Sequence, residues 1–175
     1  LTSVGELAPG AERGRLEAEL ATALVVLGAH RGDAAIAGLR ALARAASLID
    51  ARAAILAELA TLRAQAQLGR SADVEATLAR VDGSEGALPL ERGAAAIYAA
   101  VQLRCDGEAD RARALHERAE ALTHEPEGAA LRALNLACLG RLACDLRDDE
   151  AAVLLNEGAI ELGASSSAPW LAALG

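Results

Sequence analysis

The chain is expected to be all-α, and three observations carry that expectation. A hairpin pattern of amphipathic segment, short turn and second amphipathic segment recurs four times at intervals of about 37–41 residues. Hydrophobic residues make up 53% of the 175, and most of them are Ala and Leu, the strongest helix formers. Phe is absent and the aromatics are Tyr98 and Trp170, whereas a β-sandwich draws on aromatic and β-branched residues. One such hairpin cannot bury its own apolar face, so the core has to form by stacking neighbours. The predicted architecture is therefore an α-solenoid of about four antiparallel helical hairpins in a single domain over residues 1–175.

The first unit spans residues 12–49. Leu16, Leu20, Leu24 and Leu27 form one helical stripe, Gly32-Asp33 turns the chain with Asp33 as N-cap, and Ile36, Leu39, Leu42 and Ala46 return. The second unit, 51–82, follows a cap at Asp50. It carries Ile55, Leu59, Leu62 and Ala66, turns at Gly69-Arg70, and returns from a Ser71 cap through Val74, Leu78 and Val81. Residues 82–86, Asp-Gly-Ser-Glu-Gly, are a loop after which the same periodicity resumes at Pro89. The third unit, 90–123, points Ala94, Ile97 and Val101 inward beside Tyr98. It turns at Asp106-Gly107 and comes back through Ala112, Leu115, Ala119 and Leu122. The fourth, 127–163, carries Leu131, Leu134, Cys138 and Leu142, turns at Arg147-Asp148, and closes with Val153, Leu154, Ile160 and Leu162. Ser165-Ser166-Ser167 followed by Pro169 reads as a further helix start, so residues 168–175 begin a fifth pair. With no Met and a Leu at position 1, the sequence reads as an internal segment of a longer array.

Composition excludes several function classes. A net charge of −8 and a pI near 4.9 are poor footing for nucleic acid or an anionic membrane surface, both of which ask for a basic stripe. No apolar run approaches the roughly 18–20 residues that cross a bilayer, and the expected location is cytoplasmic. Cys105, Cys138 and Cys144 match no zinc spacing and read as reduced core or boundary thiols.

Catalytic and cofactor signals are lacking, and neither a metal nor a cofactor is expected. There is no phosphate-cradling Gly-rich loop, and all seventeen basic residues are Arg, which removes Schiff-base and P-loop lysine roles. His30, His116 and His124 lack metal-ligand spacing to one another; His116 reads as a partly exposed helical residue, and His30 as a cation at a helix C-terminus. Asp145, Asp148, Asp149 and Glu150 lack the spacing of a calcium loop, and Asp148 or Asp149 reads instead as a helix cap.

The fourth unit resembles a tetratricopeptide repeat. Its Leu139-Gly140, Ala152 and Ala159 stand at the spacing of that family's Leu-Gly, mid-hairpin Ala and late Ala, and small residues there let the two helices approach closely. The third unit keeps Gly107, Ala112, Ala119 and Pro126. The first keeps Gly32-Asp33 and Ala37 but has Arg44 at the late-Ala position, and the second has Val74 at an Ala position. The large aromatics are missing and the period exceeds 34. The likeness is to the degenerate Ala/Leu-rich form found in large bacterial regulators, including ATP-binding activators of the LuxR type and some Ser/Thr kinases.

The resemblance implies a right-handed superhelix whose concave groove is lined by the first helix of each hairpin. Carried onto this chain, it places in the groove Glu19, Thr22, Val26 and His30; then Leu59, Arg63 and Gln67; then Ile97, Val101 and Arg104; then Arg141 and Asp145. Arg63, Arg104 and Arg141 recur at close to the repeat spacing and would form a row suited to carboxylates, which Arg grips through two hydrogen bonds. The expected function is a non-enzymatic scaffold that binds a protein or peptide bearing acidic groups. Self-association through uncapped ends of the array is also expected. The alternative is a sensory or autoinhibitory region of a bacterial transcription regulator or Ser/Thr kinase, acting in signal transduction by binding an effector or its own parent chain.

Overall fold

The computed structural model of the chain describes residues 51–68 and 74–165. Among them are six α-helices and no strand: α1 (Ala51–Leu68), α2 (Val74–Asp82), α3 (Pro89–Cys105), α4 (Ala109–Leu122), α5 (Ala129–Asp145) and α6 (Asp149–Ser165), with a 3-10 turn at Pro126–Gly128 leading into α5. The expected unit 12–49 with its Asp33 cap, the Asp50 and Ser71 caps, and the helix start at 168–175 lie outside the described residues.

The helices pack as three hairpins, α1 on α2, α3 on α4 and α5 on α6. Successive hairpins meet through α1 against α3 and α3 against α5, with α2 also on α3 and α4 also on α5. Sequence chemistry sets the boundaries. Pro89 occupies the first turn of α3, where its missing N–H is no loss, and Glu91 reaches back to accept a 2.8 Å bond from the Leu88 N–H. Asp148 caps α6, its Oδ1 accepting from Ala151 N at 3.1 Å.

The two turns within the last two hairpins are copies of each other. Asp106, Gly107 and Glu108 donate from their backbone N–H groups to the carbonyls of Gln102, Arg104 and Leu103; Leu146, Arg147 and Asp148 donate to Leu142, Cys144 and Ala143. The last bond of each set closes a Schellman-type turn, which needs a left-handed residue. Gly107 supplies it at φ 81° and Arg147 at φ 61°, so the fourth unit builds in an L-residue what the third builds in glycine.

The core is made mainly of small side chains held close. Ile55, Leu62, Val74 and Val81 pack with Ala95 and Ala99 where the first two described hairpins meet. Ala100, Leu103, Ala112 and Leu142 form a second cluster between the next pair, and Ala96, Ile97 and Ala119 a third, covered by Leu131, Leu134 and Cys138 of α5. Ala152 and Ala159 are buried in α6. Asn156 of α6 packs directly on Gly140 of α5: a Cβ there would lie 2.6 Å from Asn156 Oδ1 and 3.0 Å from its Cγ.

Candidate partner-binding face

The first helices of the three described hairpins, α1, α3 and α5, carry the expected binding residues, and their C-terminal halves bring charge together. Arg63 is exposed on α1 and Arg141 is exposed on α5; among the described residues neither has an acidic partner. Arg104 of α3 is half-buried and donates from Nη1 to Asp145 Oδ2 of α5 at 2.8 Å. That pair ties two hairpins together, so Arg104 is a structural cation with part of its fork already taken.

Between these arginines lie two half-buried groups, Tyr98 of α3 and Cys138 of α5. Burial raises the Tyr98 phenol above its ordinary value, while the Arg63 charge pulls it back and the Cys138 group adds to the rise. Burial pushes the Cys138 thiol up to about 11, against the fields of Arg104 and Arg141. Arg63 thus acts on Tyr98, as Cys138 does, and Arg104 and Arg141 act on Cys138. The face carries three arginines, one of them balanced by Asp145, beside an uncharged phenol and an uncharged thiol. Such a surface attracts anions; with the thiol protonated at neutral pH, Cys138 is not a nucleophile there.

The remaining expected residues fall elsewhere. Ile97 is fully buried, packing with Ala96 and Ala119 beneath α5, so it belongs to the core and not to a groove wall: the helix turns it toward the neighbouring hairpin. Leu59 is half-buried against the first cluster, Val101 is half-buried, and Asp145 is exposed and engaged by Arg104. Glu19, Thr22, Val26 and His30 lie outside the described residues, as does the side chain of Gln67. The Arg row also differs from its spacing. The matched turns make Cys144 the counterpart of Arg104, and Val101 that of Arg141. Arg104 therefore sits nearly a turn further along its helix than Arg141 does, out of step with an even row.

Two further expectations are corrected. His116 is fully buried, because α4 turns it toward α5, where Asn135 receives it. Its Nδ1 lies 2.7 Å from Asn135 Oδ1, and Asn135 Nδ2 donates to the His116 carbonyl at 3.1 Å. Cys105 and Cys144 are exposed, not core thiols, since both fall in the last turn of their helices. Among the acidic residues around the last turn, Asp148 is a helix cap as expected, and Asp145 is in an ion pair with Arg104. Among the described residues no group of three or more His, Cys, Asp or Glu is placed to hold a metal ion, and no helix is long and apolar enough to cross a membrane.

Comparison with known proteins gives no match, whether to family models, to curated proteins or to solved structures.

Proposed function

We propose that the chain is a non-enzymatic binding module, a tetratricopeptide-like solenoid that holds an acidic protein or peptide segment against the face of its first helices. The observation that supports this most is the presence of Arg63, Arg104 and Arg141 beside Tyr98 and Cys138 in a protein of net charge −8. A local positive patch on an otherwise acidic molecule steers anionic groups to itself, while the acidic remainder of the surface repels them elsewhere. Arg63 and Arg141 are the contact residues in this reading, because among the described residues neither guanidinium fork is engaged by a carboxylate. Arg104 is the positioning residue that fixes α3 against α5 through Asp145. Tyr98 offers a hydroxyl donor on a rigid, half-buried ring, a residue type that recurs in binding hot spots.

The test is direct. The chain and its Arg63→Glu/Arg141→Glu variant are matched for helicity by circular dichroism, then titrated by fluorescence anisotropy with Asp/Glu-rich peptides carrying free or amidated C-termini. The expected result is binding that weakens with salt and by at least about tenfold in the variant, a difference of about 1.4 kcal/mol. Equal affinity for both proteins, or no salt dependence, overturns the assignment of this face.

A further inference from the structure

The two junctions between described hairpins are fastened differently. Across the first, α2 and α4 are strapped by two ion pairs, Glu75 with Arg111 and Asp82 with both Nη atoms of Arg118, one of these bonds at 2.9 Å. Across the second, no ion pair among the described residues joins α4 to α6. The position one repeat after Arg118 is Gly158, and a groove of about 450 Å³ runs there between Glu120, Arg132, Leu136, Gly158 and Leu162. What fastens this junction is Arg104 with Asp145 and, inside it, the clasp of His116 with Asn135.

The clasp fixes the ionisation state of the imidazole. Asn135 gives its amide N–H to the His116 carbonyl, so its oxygen faces the ring and Nδ1 must carry the proton. Nε2 is then a bare lone pair, fully buried and without a hydrogen-bond partner. Protonating it would create a buried N–H with no acceptor and a buried charge with no counter-ion. The charged group that acts on the ring offers no relief, and the nearest described ion pairs are already closed. Arg104 of α3 repels the imidazolium. On α5, Asp145 is bound to Arg104, and Arg132 donates to the His124 carbonyl. On α2, Glu75 and Asp82 are held by Arg111 and Arg118.

We infer that the junction between α3–α4 and α5–α6 is an acid-sensitive hinge, which loosens when the buried His116 imidazole takes up a proton at Nε2. Burial first, and Arg104 after it, lowers the His116 pKa below 6.5 against the support of Asn135. The open form therefore binds more protons than the closed form below pH 6.5. Closure is undiminished above that value and is lost as pH falls from about 6.5 toward the lowered pKa, by up to tenfold in the closing equilibrium per pH unit. The inference is independent of what the first-helix face binds.

Cys138 reports on the same junction, since it is packed against Ala96, Ile97 and Ala119. In a Cys105→Ser/Cys144→Ser background of the full chain, its labelling by dithiodipyridine is followed from pH 7.5 to 5.5 and divided by the rate for glutathione. Both thiols titrate far above this range, so their thiolate fractions cancel. The expected result is a relative rate that rises several-fold on acidification, and a flat ratio in the His116→Gln variant, whose amide can still donate to Asn135 without titrating. A flat ratio in the unmodified histidine protein, or an equal rise in the variant, overturns the hinge. Should His116→Gln fail to fold, the NMR titration of His116 in the parent chain decides. A midpoint below 6.5 with the Nδ1–H tautomer is expected, and a midpoint at or above 6.5 overturns the inference.

Discussion

Gln102 and Leu142 hold the same station in successive hairpins, as the matched backbone bonds to Asp106 and Leu146 show. Both are buried, but Gln102 keeps its Oε1 without a partner while its Nε2 makes a long 3.3 Å bond to Asp106. A buried acceptor left unmade typically costs about 1–3 kcal/mol. Gln102→Leu is therefore expected to stabilise the chain by about 1 kcal/mol, read as a higher urea midpoint at unchanged slope. Arg147 repeats Gly107 in the left-handed region, and Arg147→Gly should raise stability by about 0.5–1 kcal/mol by the same measurement, because only glycine adopts that backbone without a Cβ penalty. Residue-scale detail is the least legible part of the sequence. The Arg spacing resembles a period, but hairpin lengths differ, and only the turn bonds reveal that Arg104 is out of step. His116 reads as partly exposed because its burial depends on Asn135, nineteen residues away on another helix.

Helices and turns are legible in the chain almost as they stand. Ala/Leu periodicity places α1 to α6, and the turns at Asp106-Gly107 and Arg147-Asp148 fall where Gly and a charged cap interrupt it. Such signals are local, so they survive without knowledge of the tertiary fold. Which glycines are needed is a matter of contacts that sequence does not display. Gly158 lies within α6, where an added Cβ would meet only Leu136 Cδ1 at 3.5 Å, an ordinary contact, whereas at Gly128 it would fall 2.8 Å from the Thr123 carbonyl carbon. Gly158→Ala is expected to raise the melting temperature, by about 0.5–1 kcal/mol of helix propensity. Gly128→Ala should lower it by more than about 1 kcal/mol, since backbone must shift. Thermal unfolding followed at 222 nm separates the two.

At the scale of the whole molecule, the all-α class follows from composition and period, while the fastening between hairpins does not. The Asp82–Arg118 strap joins residues thirty-six apart and no periodic pattern selects it from the many other Asp and Arg in the chain. Being partly exposed, it should contribute modestly: Arg118→Gln is expected to lose about 0.2–1 kcal/mol at low ionic strength and less in high salt, measured by urea unfolding at the two salt concentrations. The thiols give a global check on packing. Two of the three, Cys105 and Cys144, should label rapidly in the native protein at neutral pH and Cys138 slowly, and three fast thiols would mean that the α3–α5 contact is not made.

The close approach of Gly140 to Asn156 has a consequence for how the chain avoids assembling wrongly. One repeat earlier the same two stations hold Ala100 and His116, so α3 presents a methyl where α5 presents a hollow. Were α6 to pair with α3, Asn156 would meet that methyl; were α4 to take the place of α6 on α5, the imidazole would face Gly140 and lose its acceptor in Asn135. Helices of similar length and Ala/Leu-rich composition in one polypeptide invite mispairing during folding and exchange between copies. Here α6 is keyed to its own first helix through Gly140 and Asn156, while α4 is keyed across the junction to α5 through His116 and Asn135, so the two second helices have different seats.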